Sequence, residues 1–423
     1  MHSPTPHAGA RYGRIVERLL RDELMPVFPA LHLVGPRGCG KTTSAATLAD
    51  TVLDLSEPGT GRAARENPDG LLAAAPGSVL VDEWQEAPEI LGAVKRAVDR
   101  DRTHAAGRFL VAGSVRAAQQ AATWPGTGRL IRVRMYGLSQ SEFEDRHSFN
   151  PIDAFFADEP SEFPNSQWVR SAYCDAISRG RLPDAARFDG EARSRWYDSY
   201  VEQLAERDVT QITEHSPRPA KLQTVLESCA ARTGQLLNKQ AAARDAGVNV
   251  RTADAHISML EDLSVVMRVP AWHAHHVKRL TRSPKVHLVD PGMAASLLNL
   301  DARALGITDR AVGQLFETFV VTELLPHVEA ASVQTRLLHA RSGDGAEVDV
   351  VLERHGALVG FEVKSSESVG RSDAKGLMWL REAAGDAFRF GAVLYAGAWP
   401  LQLDDRIWAL PISTLWTPPL DQP

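Results

Sequence analysis

The 423-residue chain holds only three cysteines, Cys39, Cys174 and Cys229, and they lie far apart. An odd number at that spacing makes neither a disulfide framework nor a zinc site, and it predicts a reducing, cytoplasmic setting. No apolar run is long enough to span a bilayer, so no membrane partner is expected. The first ten residues carry Pro and His but no apolar signal core, which argues against secretion. A basic excess is missing too. The net charge is −6, which excludes a uniformly basic nucleic-acid coat while leaving room for a local patch. Internal repeats and long low-complexity segments are absent. What remains, 44% hydrophobic and 24% charged, is ordinary globular composition. Its length calls for two to four domains.

Against that background one run stands out: Gly35-Pro36-Arg37-Gly38-Cys39-Gly40-Lys41-Thr42. It fits G-x-x-x-x-G-K-[ST], the phosphate-binding loop of nucleotide hydrolases. The run follows an apolar stretch (30–34) and opens a helical one (43–48). Glycines let backbone N–H groups wrap phosphates, and a helix N-terminus adds partial positive charge. Lys41 would reach the β- and γ-phosphates of ATP, and the Thr42 hydroxyl would ligate Mg²⁺. Nucleotide contacts are therefore expected from Gly35 through Thr43. Cys39 reads as a small residue that fits the loop.

Strand-like runs at 31–34, 52–55, 79–81, 109–111 and 131–136 alternate with helical ones, which predicts an α/β domain with a parallel sheet. The third run, Ser78-Val79-Leu80-Val81-Asp82-Glu83, is an apolar strand ending in two acids. Asp82 would hold the Mg²⁺ shell, and Glu83 would polarise the attacking water as general base. Residues 56–70 read as a loop, 144–165 as a connector and 166–214 as helical. Ser216-Pro217-Arg218-Pro219 is a breaker. The expected domains are 11–145, a helical connector at 146–219, then 220–300 and 306–423.

Residues 221–290 read as a winged helix-turn-helix. Helices are expected at 221–232, at 238–245 and from 249 to about 263, with Gly247 in the turn and Asn249 as helix cap. Ala255, Met259 and Leu263 would face the core, leaving Arg251, Thr252 and His256 on the exposed side. Residues 231–290 hold nine basic and five acidic residues. Lys278, Arg279, Arg282 and Lys285 are candidates for phosphate contacts from the wing. Two readings stay open, DNA contact and a packing or oligomerisation module.

In the last block Asp349 precedes Glu362 by thirteen residues, within Glu347-Val348-Asp349 and Gly360-Phe361-Glu362-Val363-Lys364. A hairpin would set the two strands side by side. Glu362 and Lys364 alternate with Val363 and share a face. This is the D…E-x-K pattern of restriction-type nucleases. In it Asp349 and Glu362 would hold Mg²⁺ and Lys364 would position the water. A salt-bridged surface hairpin is the other reading.

Taken together, these motifs resemble the bacterial and archaeal AAA-type ATPases that carry a C-terminal restriction-endonuclease-like domain. The resemblance runs over nearly the whole chain. It includes Asp82-Glu83-Trp84-Gln85, Ala112-Gly113-Ser114, Gly128-Arg129, Leu138-Ser139, Glu206-Arg207-Asp208 and the two C-terminal motifs. It implies that Ser114 stands where such ATPases keep a γ-phosphate sensor, with an ordinary strand-capping serine as the other reading. Arg129 stands at the position of a finger that reaches a neighbouring subunit's nucleotide, which implies a homo-oligomer; a local salt bridge is the alternative. Glu317 matches the helical acid of the nuclease-like site. Two departures are Trp84, where the family has an aliphatic residue, and Arg181, where it has a second glycine.

Overall fold

The five apolar runs of the N-terminal third form five parallel strands in the computed structural model, which describes residues 12–101, 105–113, 128–157, 162–208, 219–273, 283–307 and 310–419. The strands are β1 (Ala30–Val34), β2 (Thr51–Asp54), β3 (Val79–Asp82), β4 (Phe109–Ala112) and β5 (Ile131–Arg134), in the order β2-β3-β4-β1-β5. Strands β1, β3 and β4 are buried along their whole length, as continuous Val/Leu runs in a covered parallel sheet should be. The segment 56–70, expected as a loop, is instead helical. Helices Pro58–Glu66 and Pro68–Ala74 each begin on a proline. Proline lacks only an N–H that the first turn leaves unpaired anyway, so here it starts a helix rather than breaking one. The Asn67 side chain caps the second helix by accepting from the Gly70 N–H at 3.0 Å.

The connector is not a detached tether. Its helix Pro151–Phe155 is capped by Asn150. Phe155 packs 5.0 Å from Phe361 and 5.7 Å from Phe390, both in the C-terminal sheet. Beyond it, helices Arg170–Arg179 and Gly190–Gln203 pack on Pro291–Leu297.

Between them in sequence lie helices Pro219–Ala230, Lys239–Ala246 and Val250–Asp262. An antiparallel sheet β6-β8-β7 accompanies them, made of β6 (Gln235–Leu236), β7 (Val266–Val269) and β8 (Lys285–Leu288). Gly247 has φ +58°, and the Asn249 side chain accepts from the Thr252 N–H at 2.8 Å. The buried residues of the third helix are Ala253, His256, Ile257, Met259 and Leu260, so Met259 faces the core as expected. Two positions depart from the expected stripe: Ala255 is exposed and His256 is buried. An imidazole next to Ile257 can be buried where its polar atoms are tolerated, and a pattern of apolar letters alone mislaid the stripe.

The last block forms a six-stranded mixed sheet, β13-β14-β12-β11-β10-β9. Its strands are β9 (Arg336–Arg341), β10 (Glu347–Arg354), β11 (Ala357–Lys364), β12 (Phe388–Tyr395), β13 (Leu401–Asp404) and β14 (Ile407–Pro411). Strands β10 and β11 form an antiparallel hairpin, and β11, β12 and β14 run parallel. Leu377 and Leu380 of helix Lys375–Ala384 cover one face. Phe316, Phe319 and Val320 of helix Arg310–Glu329 cover the other.

One buried polar junction joins these parts. Asp290 accepts from Arg181 N–H (2.8 Å), Leu182 N–H (3.0 Å), Met293 N–H (2.7 Å) and Tyr197 O–H (2.9 Å). The Arg181 guanidinium donates to Glu323 on helix Arg310–Glu329. Glu323 also takes the Gln140 N–H at 3.0 Å, and Leu138 N–H donates to the Arg181 carbonyl at 2.7 Å. Arg181 and Glu323 are both buried. Removing one member of such a pair strands the other charge, so Arg181→Ala should destabilise by about 3–5 kcal/mol. The check is the denaturant midpoint beside wild type. An unchanged midpoint would show that the junction does not hold the parts together.

Candidate nucleotide site and C-terminal carboxylate cluster

The phosphate-binding loop leaves the C-terminal end of β1, the strand flanked by β4 and β5. Gly35 is required there by close approach, because a Cβ would stand 2.0 Å from the Met135 carbonyl oxygen. Lys41 opens helix Lys41–Ala46, and its ammonium donates to the Gly35 and Pro36 carbonyls, both at 2.9 Å. Thr42 and Thr43 are exposed at the helix start, as are Arg37 and Gly38 in the loop. Cys39 is fully buried as a small packing residue.

Asp82 ends β3 and accepts a hydrogen bond from the Thr42 side chain. Burial pushes its carboxyl above the usual range, against the opposing pull of Thr42. Glu83 follows with φ +48° and ψ +42°, a left-handed conformation unusual for a side-chain-bearing residue. Its carboxyl is also raised, by burial first and by Asp82 next, and the Gln85 amide donates to it. The geometry behind Glu83 explains Trp84. That indole is fully buried, edge-on to His32 of β1 with ring centroids 5.8 Å apart. A Cβ on Gly113 would come within 2.6 Å of the indole and 2.5 Å of Gln85 Oε1. The glycine after β4 thus makes room for the turn that holds Glu83.

Two residues at this site escaped sequence reasoning. Arg14 is buried and donates to Glu142 (2.9 Å), to the Cys39 carbonyl (2.9 Å) and to the Tyr136 carbonyl (2.8 Å), so it clamps the loop from behind. Tyr200, on helix Gly190–Gln203, donates to the Arg37 carbonyl at 3.1 Å. Both act over long sequence separations, and no local motif marks them. Of the remaining expected residues, Ser114 lies outside the described residues, as do Lys278, Arg279 and Arg282. Arg129 is half-exposed and pairs with Asp99 at 2.9 Å.

In the C-terminal sheet, Asp349 and Glu362 flank the same point of the hairpin, one step beyond the Val350–Phe361 pair. Lys364 donates to Glu362 at 2.9 Å, and the Val363 N–H donates to Asp349 Oδ2 at 2.9 Å. Glu317 reaches the cluster from helix Arg310–Glu329. Lys285 is the correction here. Expected as an exposed phosphate contact, it is buried, with its ammonium 2.8 Å from Glu317, 2.7 Å from Glu347 and 2.9 Å from Asp349. Burial alone would lower its pKa, but the three acids hold it above the ordinary lysine range. Among the described residues no three His, Cys, Asp or Glu side chains are arranged to hold a metal ion.

Glu362 is pushed up to about 8 by burial first and by Asp349 next. A raised folded-state carboxyl contributes stability that is complete below its unfolded value and is lost as pH rises through about 8. Glu362→Gln resembles the protonated form. It should therefore gain thermal stability relative to wild type as pH rises from roughly 4.5 to 8. Melting curves across that window check this, and a pH-independent difference would refute the shift.

Residues 27–144 match the family model described as an AAA domain. Residues 170–304 and 312–415 match two models described as domains of unknown function, DUF8612 and DUF4143. Uncharacterized proteins of Mycobacterium bovis (Mb2031c) and Mycobacterium tuberculosis (Rv2008c) are each 27% identical over 396 residues, which is 92% of this chain and 81% of theirs. Among solved structures, the Walker-type ATPase PABY2304 of Pyrococcus abyssi aligns with TM-score 0.43 and 13% identity, over 68% of this chain and 96% of that one. AMPPCP-bound DnaA from Aquifex aeolicus aligns with TM-score 0.26 and 10% identity, over 59% and 86%. No helix among the described residues is long and apolar enough to cross a membrane. The N-terminal domain is an AAA-type, ATP-binding domain, and that assignment rests on the domain match together with the loop.

Proposed function

We propose that the chain is a Mg²⁺-dependent ATPase whose nucleotide state governs how its C-terminal modules engage DNA. The observation that carries this reading is the meeting of Lys41, Thr42, Asp82 and Glu83 at the C-terminal ends of β1 and β3. Hard oxygen donors suit Mg²⁺, and the Thr42 hydroxyl already touches the Asp82 carboxylate, so the residues present fit the ion. When bound, Mg²⁺ supplies charge neutralisation at the phosphates. Lys41 exchanges its loop carbonyls for phosphate oxygens. Glu83, fixed by its strained backbone and by Gln85, takes the proton of the attacking water. Arg129 would leave an exposed ion pair, worth little by itself, to reach the nucleotide of a neighbouring copy. This part of the reading requires a homo-oligomer.

Coupling has a physical route. Tyr200 touches the loop, and Tyr197, on the same helix, touches Asp290. DNA is the partner favoured by the three helices and small sheet of 219–288, read as a winged helix-turn-helix. Asn249, Val250 and Arg251 are exposed at the start of its third helix. Ion pairs of Arg232 with Asp245, Lys239 with Asp254 and Arg268 with Glu261 offset much of the local basic surplus.

Lys41→Ala should abolish ATP binding. Glu83→Gln should keep binding and lower kcat by about 10²–10⁴-fold. Nucleotide titration and phosphate release decide both, and unchanged turnover in Glu83→Gln would remove that residue as base. DNA affinity should fall steeply with salt, and Arg251→Ala should lower the log–log slope by about one. Salt-insensitive or absent DNA binding would leave a protein-binding switch as the surviving account.

A further inference from the structure

The C-terminal acids invite a divalent metal, yet the structure gives them another cation. Lys285 belongs to β8 of the preceding small sheet, where it pairs with Leu236 and Val269, and not to the sheet that carries the acids. Its ammonium has three donors, and three carboxylates stand at hydrogen-bond distance: Glu317, Glu347 and Asp349, at 2.8, 2.7 and 2.9 Å. Its side chain is 1% exposed. An ammonium so placed takes the oxygens Glu317 Oε1 and Asp349 Oδ1 that a hard cation would need. The remaining acid, Glu362, uses Oε1 for Lys364, and its buried Oε2 has no hydrogen-bond partner among the described residues. Four carboxylates thus face Lys285, Lys364 and, at 4.0 Å from Glu347, Arg341, and Glu362 Oε2 stays unmatched beside the tethered cation.

We propose that Lys285 takes the place of a divalent metal ion in this cluster. The packed chain then excludes such an ion there, and removing the ammonium opens a site for one. In this state the C-terminal domain holds no metal for cleaving nucleic acid, and Lys285 binds it to the middle of the chain instead. The inference does not depend on ATP hydrolysis. The three acids come from helix Arg310–Glu329 and β10, so changing Lys285 removes the cation without altering the elements that carry its ligands. A purely structural ion cluster predicts otherwise: loss of the lysine leaves repelling charges and no gain of binding.

The test is Mn²⁺ titration of the nucleotide-free full chain, read from the EPR signal of free Mn²⁺. Wild type, Asp349→Asn, Lys285→Ala and the Lys285→Ala/Asp349→Asn double variant are compared, with ATP binding as the check of folding. Wild type should show no site that Asp349→Asn removes. Lys285→Ala should gain one site per chain, and the double variant should lose it. In the same series Mn²⁺ should raise the melting midpoint of Lys285→Ala and leave that of wild type unchanged. The proposal is overturned if wild type already holds an Asp349-dependent ion, or if folded Lys285→Ala gains none. It is equally overturned if Lys285→Ala stays unfolded with Mn²⁺ present, since the metal then cannot substitute for the ammonium.

Discussion

The packing of the three parts depends on one buried carboxylate. Asp290 has both oxygens filled by donors from three separate stretches: the 181–182 backbone, Tyr197 and Met293. A carboxylate taken out of water is costly unless every lone pair finds a partner, and here the partners are spread so that none can move alone. The 181–182 turn it holds aims Arg181 at Glu323 and offers its carbonyl to Leu138. The end of the nucleotide-binding domain, the middle helices and the long C-terminal helix thereby share one set of positions. Their apolar contacts are extensive, but hydrophobic burial is non-directional. The polar junction is what selects a single arrangement.

That junction was also the least legible part of the chain. Arg181 stood out only as a departure from a glycine, with no role attached. Its partners lie 109 and 142 residues away, so no window of sequence contains them. The same limit hid Arg14, Tyr200 and the true place of Lys285. What could be read was local. The loop 35–42 and the strand ending at Asp82 carry their chemistry within a few residues, and their burial pattern is continuous. The β10–β11 hairpin was legible from spacing, because alternation alone puts Glu362 and Lys364 on one face. A residue type with two uses misleads: prolines 58 and 68 suggest a loop yet open helices, and His256 suggests polar surface yet lies in the buried stripe.

Lys285 alters the meaning of the C-terminal motif. A D…E-x-K pattern describes residue types along two strands and says nothing about what a third element sets against its acids. Here β8 supplies that element. Buried ion clusters are weak evidence of net stability, since desolvation offsets their attraction. Their stronger effect is on specificity: three acids without a cation would repel one another, so the hairpin and helix Arg310–Glu329 are matched to the strand that carries the lysine. The intact motif and the absent metal geometry are therefore compatible.

How much nucleotide state can influence this arrangement is set by the size of the contacts. Tyr200 to the Arg37 carbonyl is one neutral hydrogen bond, worth about 1 kcal/mol net. Its loss or gain would shift a two-state balance roughly fivefold, whereas a full switch needs about 5.5 kcal/mol. Tyr197, one turn away on the same helix, leads to Asp290, and Asp290 lies two residues past the end of β8. The route is continuous, but the junction at Asp290 and the cluster at Lys285 each resist motion by more than Tyr200 alone can deliver. Tyr200 is thus suited to reporting the state of the loop. Moving β8 away from the acids would take several such contacts acting together.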